Sequence, residues 1–153
     1  MAEIVIMLVQ GGTTSAIHAA RLLHDLYTEL WGGMAPDALE VEATACSLLE
    51  EGAIYGMIAY DGKVPVGVIM MAPRAATYAN GKFAEITELY VAPAYRSRGL
   101  GARFLDQAKK NTSFRRWTRL EVSTLNRNPS LFLREGFTET GPRLECLLPG
   151  SPT

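Results

Sequence analysis

The chain has 153 residues, of which 48% are hydrophobic and 20% charged, and its formal net charge is −1. This length suits one domain that buries a single core, and the balanced charge provides no overall footprint for nucleic acid or for an anionic membrane. We therefore expect a single domain over residues 1–153, with neither nucleic acid nor a membrane as its partner.

The first apolar run, residues 4–9, is too short to span a bilayer and has no positively charged leader. It is expected to form a strand in a cytoplasmic protein. Cys46 and Cys146 are far apart in the sequence, and no CxxC pair or histidine stands at metal-ligand spacing. We therefore predict neither a disulfide framework nor a metal site.

Two helices are predicted after this strand. The Thr-Thr-Ser sequence at residues 13–15 offers an N-terminal cap, and apolar residues then recur at helical spacing until residues 31–33 end the helix. Pro36 suits the first turn of a second helix, and Gly52 suits its C-terminal cap.

The middle of the chain is predicted to form three consecutive strands. Residues 53–60 and 64–72 are apolar runs joined by an Asp-Gly dipeptide, which favours a tight hairpin turn, so these two strands should be antiparallel. A polar loop over residues 73–82 leads into the third run, "FAEITELYVAP", which ends at Pro93.

The last third is predicted to alternate helix and strand. A helix continues to about residue 110, "RLEVSTL" is typical of a strand, "NPSLFLREG" of a short helix, and "RLECLL" of a closing strand. The order β, α, α, β, β, β, α, β, α, β predicts an α/β (α+β) fold with a mixed, mostly antiparallel sheet flanked by helices.

The segment "RSRGLG", residues 96–101, lies between the third of these strands and the next helix. Its glycines could simply let a helix start close to the sheet. A dinucleotide-binding fingerprint fits less well, because Phe104 stands where that motif requires Gly or Ala. We favour a third interpretation, in which glycine N–H groups and the helix N-terminus bind a phosphate beside Arg96 and Arg98.

The segment resembles the motif of the GNAT superfamily of acyl-CoA-dependent N-acetyltransferases: Arg or Gln, two residues, Gly, one residue, then Gly or Ala. "ELYVAP" resembles the central strand of that family and "NPSLFLREGF" its late helix, and the order of elements agrees over residues 4–148. The resemblance implies an acetyl-CoA-dependent N-acetyltransferase, without a metal, in which the glycines hold the pyrophosphate of coenzyme A.

The resemblance also implies where coenzyme A binds. Its pantetheine arm would lie in a gap between the strand ending at Val91 and the strand near Val122, and the spacing does not decide which of two asparagines contacts that arm. The residues implied in cofactor binding are Tyr90, Val91, Arg96, Arg98, Gly99, Leu100, Gly101, Asn126, Asn128 and Phe132. Phe132 stands where the family often has a tyrosine that protonates the departing thiolate, and phenylalanine cannot donate a proton.

Direct attack by an amine requires a base, because an alkylamine with a pKa near 10.4 is almost fully protonated at neutral pH. Glu85 and Glu88 are the candidates, although either could be a solvated strand residue. In a regular strand they face opposite sides of the sheet unless a bulge intervenes. Glu85 has the offset of the glutamate in the histone-acetylating branch, whereas Glu88 precedes "LYV" as in small-molecule acetyltransferases, and we favour Glu88.

Tyr27, Trp31 and Tyr78 are candidates for contacting the acceptor, with core packing or a capped turn as the alternatives. "TELWGG", "TYANG" and "ELYVAP" together resemble the aminoglycoside 6′-N-acetyltransferase branch, which implies a primary amine of a small molecule as acceptor. The alternatives are a lysine or N-terminal amine of a protein, and a catalytically silent acyl-CoA sensor. Because proteins of this family are often dimers, the resemblance also allows a homodimer.

Overall fold

The computed structural model describes residues 3–123, 129–141 and 144–150. The strands in these ranges are β1 (Ile4–Leu8), β2 (Tyr55–Asp61), β3 (Val64–Ala76), β4 (Gly81–Val91) and β5 (Leu120–Val122). The helices are α1 (Thr14–Trp31), α2 (Ala38–Glu51), α3 (Leu100–Phe114) and α4 (Ser130–Arg134).

The five strands form one sheet in the order β1-β2-β3-β4-β5. Neighbouring strands are antiparallel except β4 and β5, which run parallel. The predicted mixed, mostly antiparallel sheet flanked by helices is therefore confirmed. The Asp-Gly turn also forms as predicted, with Gly62 in the left-handed region at φ 62°.

Helices cover both faces of the sheet. On one face α1 and α2 pack against β2, β3 and β4, with Ile58, Val68 and Met70 among the buried residues. On the other face α3 and α4 pack through Phe104, Leu105 and Phe132. Because each helix buries one apolar side, β4 lies between two layers of core, and α3 packs against one of them.

Capping residues determine where α2 begins and ends. The side chain of Asp37 accepts a hydrogen bond from the Leu39 N–H at 3.1 Å, and Gly52 ends the helix in the left-handed conformation at φ 73°. The predicted cap at Gly52 is therefore confirmed. The Pro36 prediction is off by two residues, because the helix begins at Ala38 after Asp37 has taken the capping position.

The hairpin between β3 and β4 is longer than predicted. Residues 72–76 of β3 pair with residues 81–85 of β4, so only the short 3-10 turn Thr77–Ala79 and Asn80 remain of the predicted loop 73–82. Cross-strand pairing satisfies the backbone N–H and C=O groups of this polar segment, which outweighs its weak strand propensity.

The predicted closing strand "RLECLL" is wrong for residues 144–148, which carry no strand pairing; residues 142 and 143 lie outside the described ranges. Leu144, Leu147 and Leu148 are 88%, 63% and 67% exposed. Alternating apolar residues form a strand when one side becomes buried and the backbone finds a partner. Neither condition is met by the described part of this segment.

Candidate active site

The two parallel strands β4 and β5 separate after a short contact. They pair only from Ala84 opposite Leu120 to Ile86 opposite Val122. Beyond Ile86 a cavity of about 590 Å³ opens, bordered by the end of β4, the start of α3 and parts of α1 and α4. The gap that the resemblance implied between these strands is therefore present.

A β-bulge near the middle of β4 decides which side chains face this cavity. Met71 pairs with Ile86 and Met70 with Glu88, so Thr87 is an extra residue without its own partner in β3. Ile86 belongs to the core beneath α3, whereas Tyr90 belongs to the core beneath α1. The bulge thus places Glu85 and Glu88 on the same side of the sheet.

Glu88 lines the cavity and is partly buried there. Its Oε1 accepts a hydrogen bond from Thr87 Oγ1 at 2.7 Å, and its Oε2 accepts one from the Tyr27 hydroxyl at 3.5 Å. Burial raises the pKa of Glu88, and the hydrogen bonds from Thr87 and Tyr27 partly oppose that rise. A carboxylate whose pKa is raised this way is suited to accept a proton near neutral pH.

Glu85 has a different environment. Its Oε2 accepts a hydrogen bond from Arg74 Nη1 at 2.8 Å, and it is not among the residues that line the cavity. The ion pair is partly exposed, with side-chain exposures of 57% for Arg74 and 15% for Glu85. Of the two candidate bases, the structure therefore places only Glu88 at the cavity.

The N-terminus of α3 forms another wall of the cavity. Gly99 precedes the helix with φ 80°, in the left-handed region, and the first turn of α3 contains no acidic residue. The first N–H groups of a helix have no partner within it, so those of Leu100, Gly101 and Ala102 are available to an anion. Leu100 itself is buried, and only its backbone is suited to this role.

The two glycines of the motif are required for different structural reasons. A Cβ at Gly99 would meet nothing within 4 Å, so its glycine is required by backbone conformation. A Cβ at Gly101 would lie 2.8 Å from Cδ2 of Leu131, so this glycine lets α3 approach α4 closely.

Arg96 is engaged by protein groups. Its Nε donates to the Val91 carbonyl at 2.8 Å and its Nη2 donates to Glu29 Oε2 at 2.6 Å. The hydrogen bond from Arg96 lowers the pKa of Glu29. Arg96 thereby ties the loop that precedes α3 to α1, at the edge of the cavity.

Arg98 is held by an aromatic neighbour. Its guanidinium lies over the ring of Tyr95 at 5.2 Å, and the Tyr95 hydroxyl donates to Asp61 Oδ2 at 2.6 Å. Because Asp61 ends β2, this contact fixes the same loop to the β2–β3 hairpin.

Phe132 also borders the cavity. It is 7% exposed and packs edge-to-face on Phe137, with ring centroids 5.6 Å apart. It therefore offers an apolar wall and no proton donor. Asn126 and Asn128, the other residues expected near the cofactor arm, lie outside the described residues.

The three candidate acceptor contacts fall into two places. Tyr27 touches Glu88 and stacks on Trp31 with ring centroids 5.4 Å apart, and Trp31 is 45% exposed. Tyr78 is 64% exposed in the β3–β4 turn, where its hydroxyl donates to Glu121 Oε2 at 3.4 Å. The structure thus brings Tyr27 to Glu88, with Trp31 behind it, and none of the three is among the residues that line the cavity.

Sequence reasoning missed two residues of this site, Thr87 and Glu29. Thr87 stands between the two candidate glutamates. The only sequence signal for Thr87 was that a bulge would be needed between Glu85 and Glu88 to bring both to the same side of the sheet. Glu29 meets Arg96 across 67 residues of chain, which no local pattern indicates.

Residues 51–139 match the family model described as the acetyltransferase (GNAT) domain. This match covers more than half of the chain, and the protein belongs to the GNAT acetyltransferase family. Members of this family use acetyl-CoA as the acyl donor. No curated protein sequence matches the chain.

Solved structures with similar folds extend over nearly the whole chain. An integron cassette protein from the mobile metagenome of Cole Harbour Salt Marsh has 22% identity and a TM-score of 0.81, covering 96% of this chain and 91% of its own. A predicted acetyltransferase from Clostridium acetobutylicum, solved with acetyl-CoA, has 18% identity and a TM-score of 0.75, covering 95% and 96%. An aminoglycoside acetyltransferase from an uncultured soil metagenomic sample has 15% identity and a TM-score of 0.75, covering 95% of each chain. At these identities the likeness shows the fold alone.

None of the described helices is long and apolar enough to cross a membrane. Within the same described residues, no three His, Cys, Asp or Glu side chains form a group that could hold a metal ion.

Proposed function

We propose that the protein transfers an acetyl group from acetyl-CoA to a primary amine of a small molecule by direct attack. One observation carries the proposal: a single cavity joins the free N–H groups at the start of α3, the edge of β4 that β5 leaves unpaired, and the carboxyl group of Glu88. An acyl-CoA thioester and an attacking amine need these three features in one place.

The donor half of the cavity suits coenzyme A. A helix N-terminus carries roughly half a positive charge, and the N–H groups of Leu100, Gly101 and Ala102 can donate to the pyrophosphate. Beyond Ile86, β4 has no strand partner on its β5 side in the described part of the chain, so amide groups of the pantetheine arm can pair with it as an added strand would. Phe132 supplies an apolar wall beside that arm.

The chemical step requires one base. Glu88 takes one proton from the ammonium form of the acceptor, directly or through a water, and the neutral amine nitrogen then forms a bond to the thioester carbonyl carbon while the C–S bond breaks. The nitrogen loses its second proton to solvent as the amide forms. The thiolate leaves as coenzyme A and takes its proton from water, since a thiol pKa near 8.5 makes it a good leaving group. No hydroxyl at position 132 is then required.

The aromatic pair beside Glu88 supports a small polar acceptor. Tyr27, which reaches Glu88, stacks on Trp31, and the ring of Trp31, which is 45% exposed, can attract an organic cation. Aminoglycosides and polyamine-like amines are organic cations at neutral pH, and an aminoglycoside acetyltransferase solved in complex with sisomicin shares the fold.

Two alternatives have observations of their own. A ribosomal-protein-alanine N-acetyltransferase from Brucella melitensis shares the fold, with 16% identity and a TM-score of 0.71, which keeps a protein N-terminal amine or lysine as a second acceptor class. The absence of a hydroxyl at Phe132 favours a catalytically silent acyl-CoA sensor.

Thiol release from acetyl-CoA distinguishes these functions. The protein is offered aminoglycosides, polyamines, amino acids and lysine peptides, while calorimetry measures acetyl-CoA binding separately. Release with the first two groups supports the proposal, and release with peptides alone supports the protein-directed alternative. Tight acetyl-CoA binding without release in any mixture supports the sensor, and absent binding refutes all three.

Two matched variants locate the base. Glu88→Gln should lower turnover by about 10²- to 10⁴-fold while leaving acetyl-CoA binding intact. Glu85→Gln is the control on the same strand and the same face of the sheet, and it should retain wild-type turnover because Glu85 is paired with Arg74 away from the cavity.

A further inference from the structure

Thr87 has one hydroxyl proton and two acceptors within reach. Its Oγ1 lies 2.7 Å from Glu88 Oε1 and 3.4 Å from the carbonyl oxygen of Met70. A hydroxyl donates to one acceptor at a time, and the shorter distance identifies the carboxylate as the acceptor. Thr87 therefore has a direct connection to the proposed base.

Thr87 is also the extra residue of the bulge that orients Glu88. Met71 pairs with Ile86 and Met70 with Glu88, which leaves Thr87 without a partner of its own in β3. Its β-branched side chain has few rotamers, so its hydroxyl is held in place at a low entropic cost. The same residue thus turns Glu88 toward the cavity and supplies a fixed donor to it.

We propose that Thr87 is a positioning residue that holds the Glu88 carboxylate in one orientation and stabilises its ionised form. This inference rests on the proposed function, in which Glu88 accepts the amine proton. A base must be ionised before it can accept that proton, and a buried carboxylate without donors tends to remain protonated.

Few groups around Glu88 can stabilise its ionised form. Tyr27 reaches it from α1 at the longer distance of 3.5 Å, and β3 presents the apolar Met70 as its cross-strand neighbour. Burial is the largest influence on the pKa of Glu88 and raises it, while Thr87 and Tyr27 lower it. The charged residues that line the same cavity are Glu29, Arg96, Arg134 and Glu135.

None of these four charges is among the influences on the pKa of Glu88, which are burial and the hydrogen bonds from Thr87 and Tyr27. Glu29 and Arg96 neutralise each other in an ion pair, with N···O at 2.6 Å. The other carboxylate on this face of β4, Glu85, is paired with Arg74. The short hydrogen bond from Thr87 is therefore the main stabilising contact that the described residues offer to ionised Glu88.

The experiment compares Thr87→Val, which keeps the shape of the side chain and removes the hydroxyl, with Thr87→Ser, which keeps the hydroxyl. The titration midpoint of the Glu88 carboxyl carbon is followed by ¹³C NMR, which needs no turnover, and the pH dependence of turnover is measured in parallel. We expect Thr87→Val to move both midpoints toward higher pH and to lower turnover on the acid side by about tenfold, the loss of one hydrogen bond to a charged group.

Thr87→Ser should keep the wild-type midpoint, and Thr87→Val should recover wild-type turnover at high pH. Equal NMR midpoints in wild type and Thr87→Val would overturn the proposal, as would a loss of turnover that is the same at every pH. Thr87→Ala replaces Thr87→Val if the latter does not fold. If the wild type turns over no amine, the proposed function fails, while the NMR midpoints still decide the role of Thr87.

Discussion

Gly67 provides a test of how the sheet positions the N-terminus of α3. It lies in β3 opposite Val91, and a Cβ there would lie 2.9 Å from Phe104 Cε2, 3.1 Å from the Tyr90 carbonyl oxygen and 3.3 Å from Leu100 Cδ2. Non-bonded carbons prefer about 3.5–4.0 Å. Phe104 is fully buried and the Tyr90 oxygen belongs to the backbone, so neither can yield easily. Gly67→Ala must therefore push α3 away from the sheet.

The size of the effect follows from two opposing contributions. Overpacking of this kind costs about 1–3 kcal/mol, and alanine recovers about 0.4–1 kcal/mol by restricting the unfolded chain. The net loss is about 1–2 kcal/mol, which lowers Tm by roughly 3–6 °C for a domain of this size. Because the N–H groups of α3 move with the helix, each 1.4 kcal/mol lost from their contacts raises the Kd for acetyl-CoA about tenfold.

Scanning fluorimetry and calorimetry with acetyl-CoA measure both effects. Gly33→Ala is the control, because a Cβ there meets nothing within 4 Å; it should bind acetyl-CoA as the wild type does and melt no lower than the wild type. Adding Phe104→Leu to Gly67→Ala removes the nearest clashing atom and should give less than additive destabilisation. If Gly67→Ala melts and binds acetyl-CoA as the wild type does, the close approach of α3 to β3 does not depend on glycine, and the reasoning is refuted.

Two further predictions concern charged groups at the cavity. Burial raises the folded-state pKa of Glu88 above its unfolded value, so its contribution to stability is present at low pH and is lost as pH rises through the folded-state pKa. The Tm of Glu88→Gln should therefore equal that of the wild type at about pH 4 and exceed it at about pH 8. Glu29→Gln breaks a half-exposed ion pair with Arg96, so the free energy of unfolding should fall by at most about 1 kcal/mol. Acetyl-CoA should bind several-fold tighter, because the substitution removes a negative charge beside an anion site.

Each of these has a clear contrary result. A constant difference in Tm between Glu88→Gln and wild type at every pH would show that Glu88 titrates alike in the folded and unfolded chain. Weaker acetyl-CoA binding by Glu29→Gln would show that the ion pair orders the loop before α3 more than its charge repels the donor. Salt separates the two effects, since the expected tightening should diminish as ionic strength rises.

The features that could be predicted from the sequence are those with local physical causes. The Asp-Gly hairpin, the cap at Gly52 and the glycine-containing start of α3 each depend on backbone conformations that a few neighbouring residues determine. The mixed sheet followed from the order of such elements. The closing strand was predicted wrongly because the alternation of apolar residues in 144–148 does not reveal whether a partner strand or a covering layer is present.

The arrangement of the site depends on contacts between distant segments. Whether Glu85 and Glu88 face the same side was open in the sequence, because the bulge at Thr87 arises from the register between β3 and β4. The assignment of Arg96 to phosphate likewise could not foresee its ion pair with Glu29 on α1. Register and long-range pairing reflect the packing of the whole domain, and single-sequence patterns carry little information about them.

The measurement that tests the central claim most directly is the pH dependence of kcat/KM with the best amine acceptor, for wild type and Glu88→Gln, from about pH 5 to about pH 10. If Glu88 takes the amine proton, wild-type activity rises with pH as Glu88 ionises, and Glu88→Gln loses that rise together with about 10²- to 10⁴-fold of its activity, at an unchanged Kd for acetyl-CoA. A Glu88→Gln profile that coincides with the wild type would contradict the account.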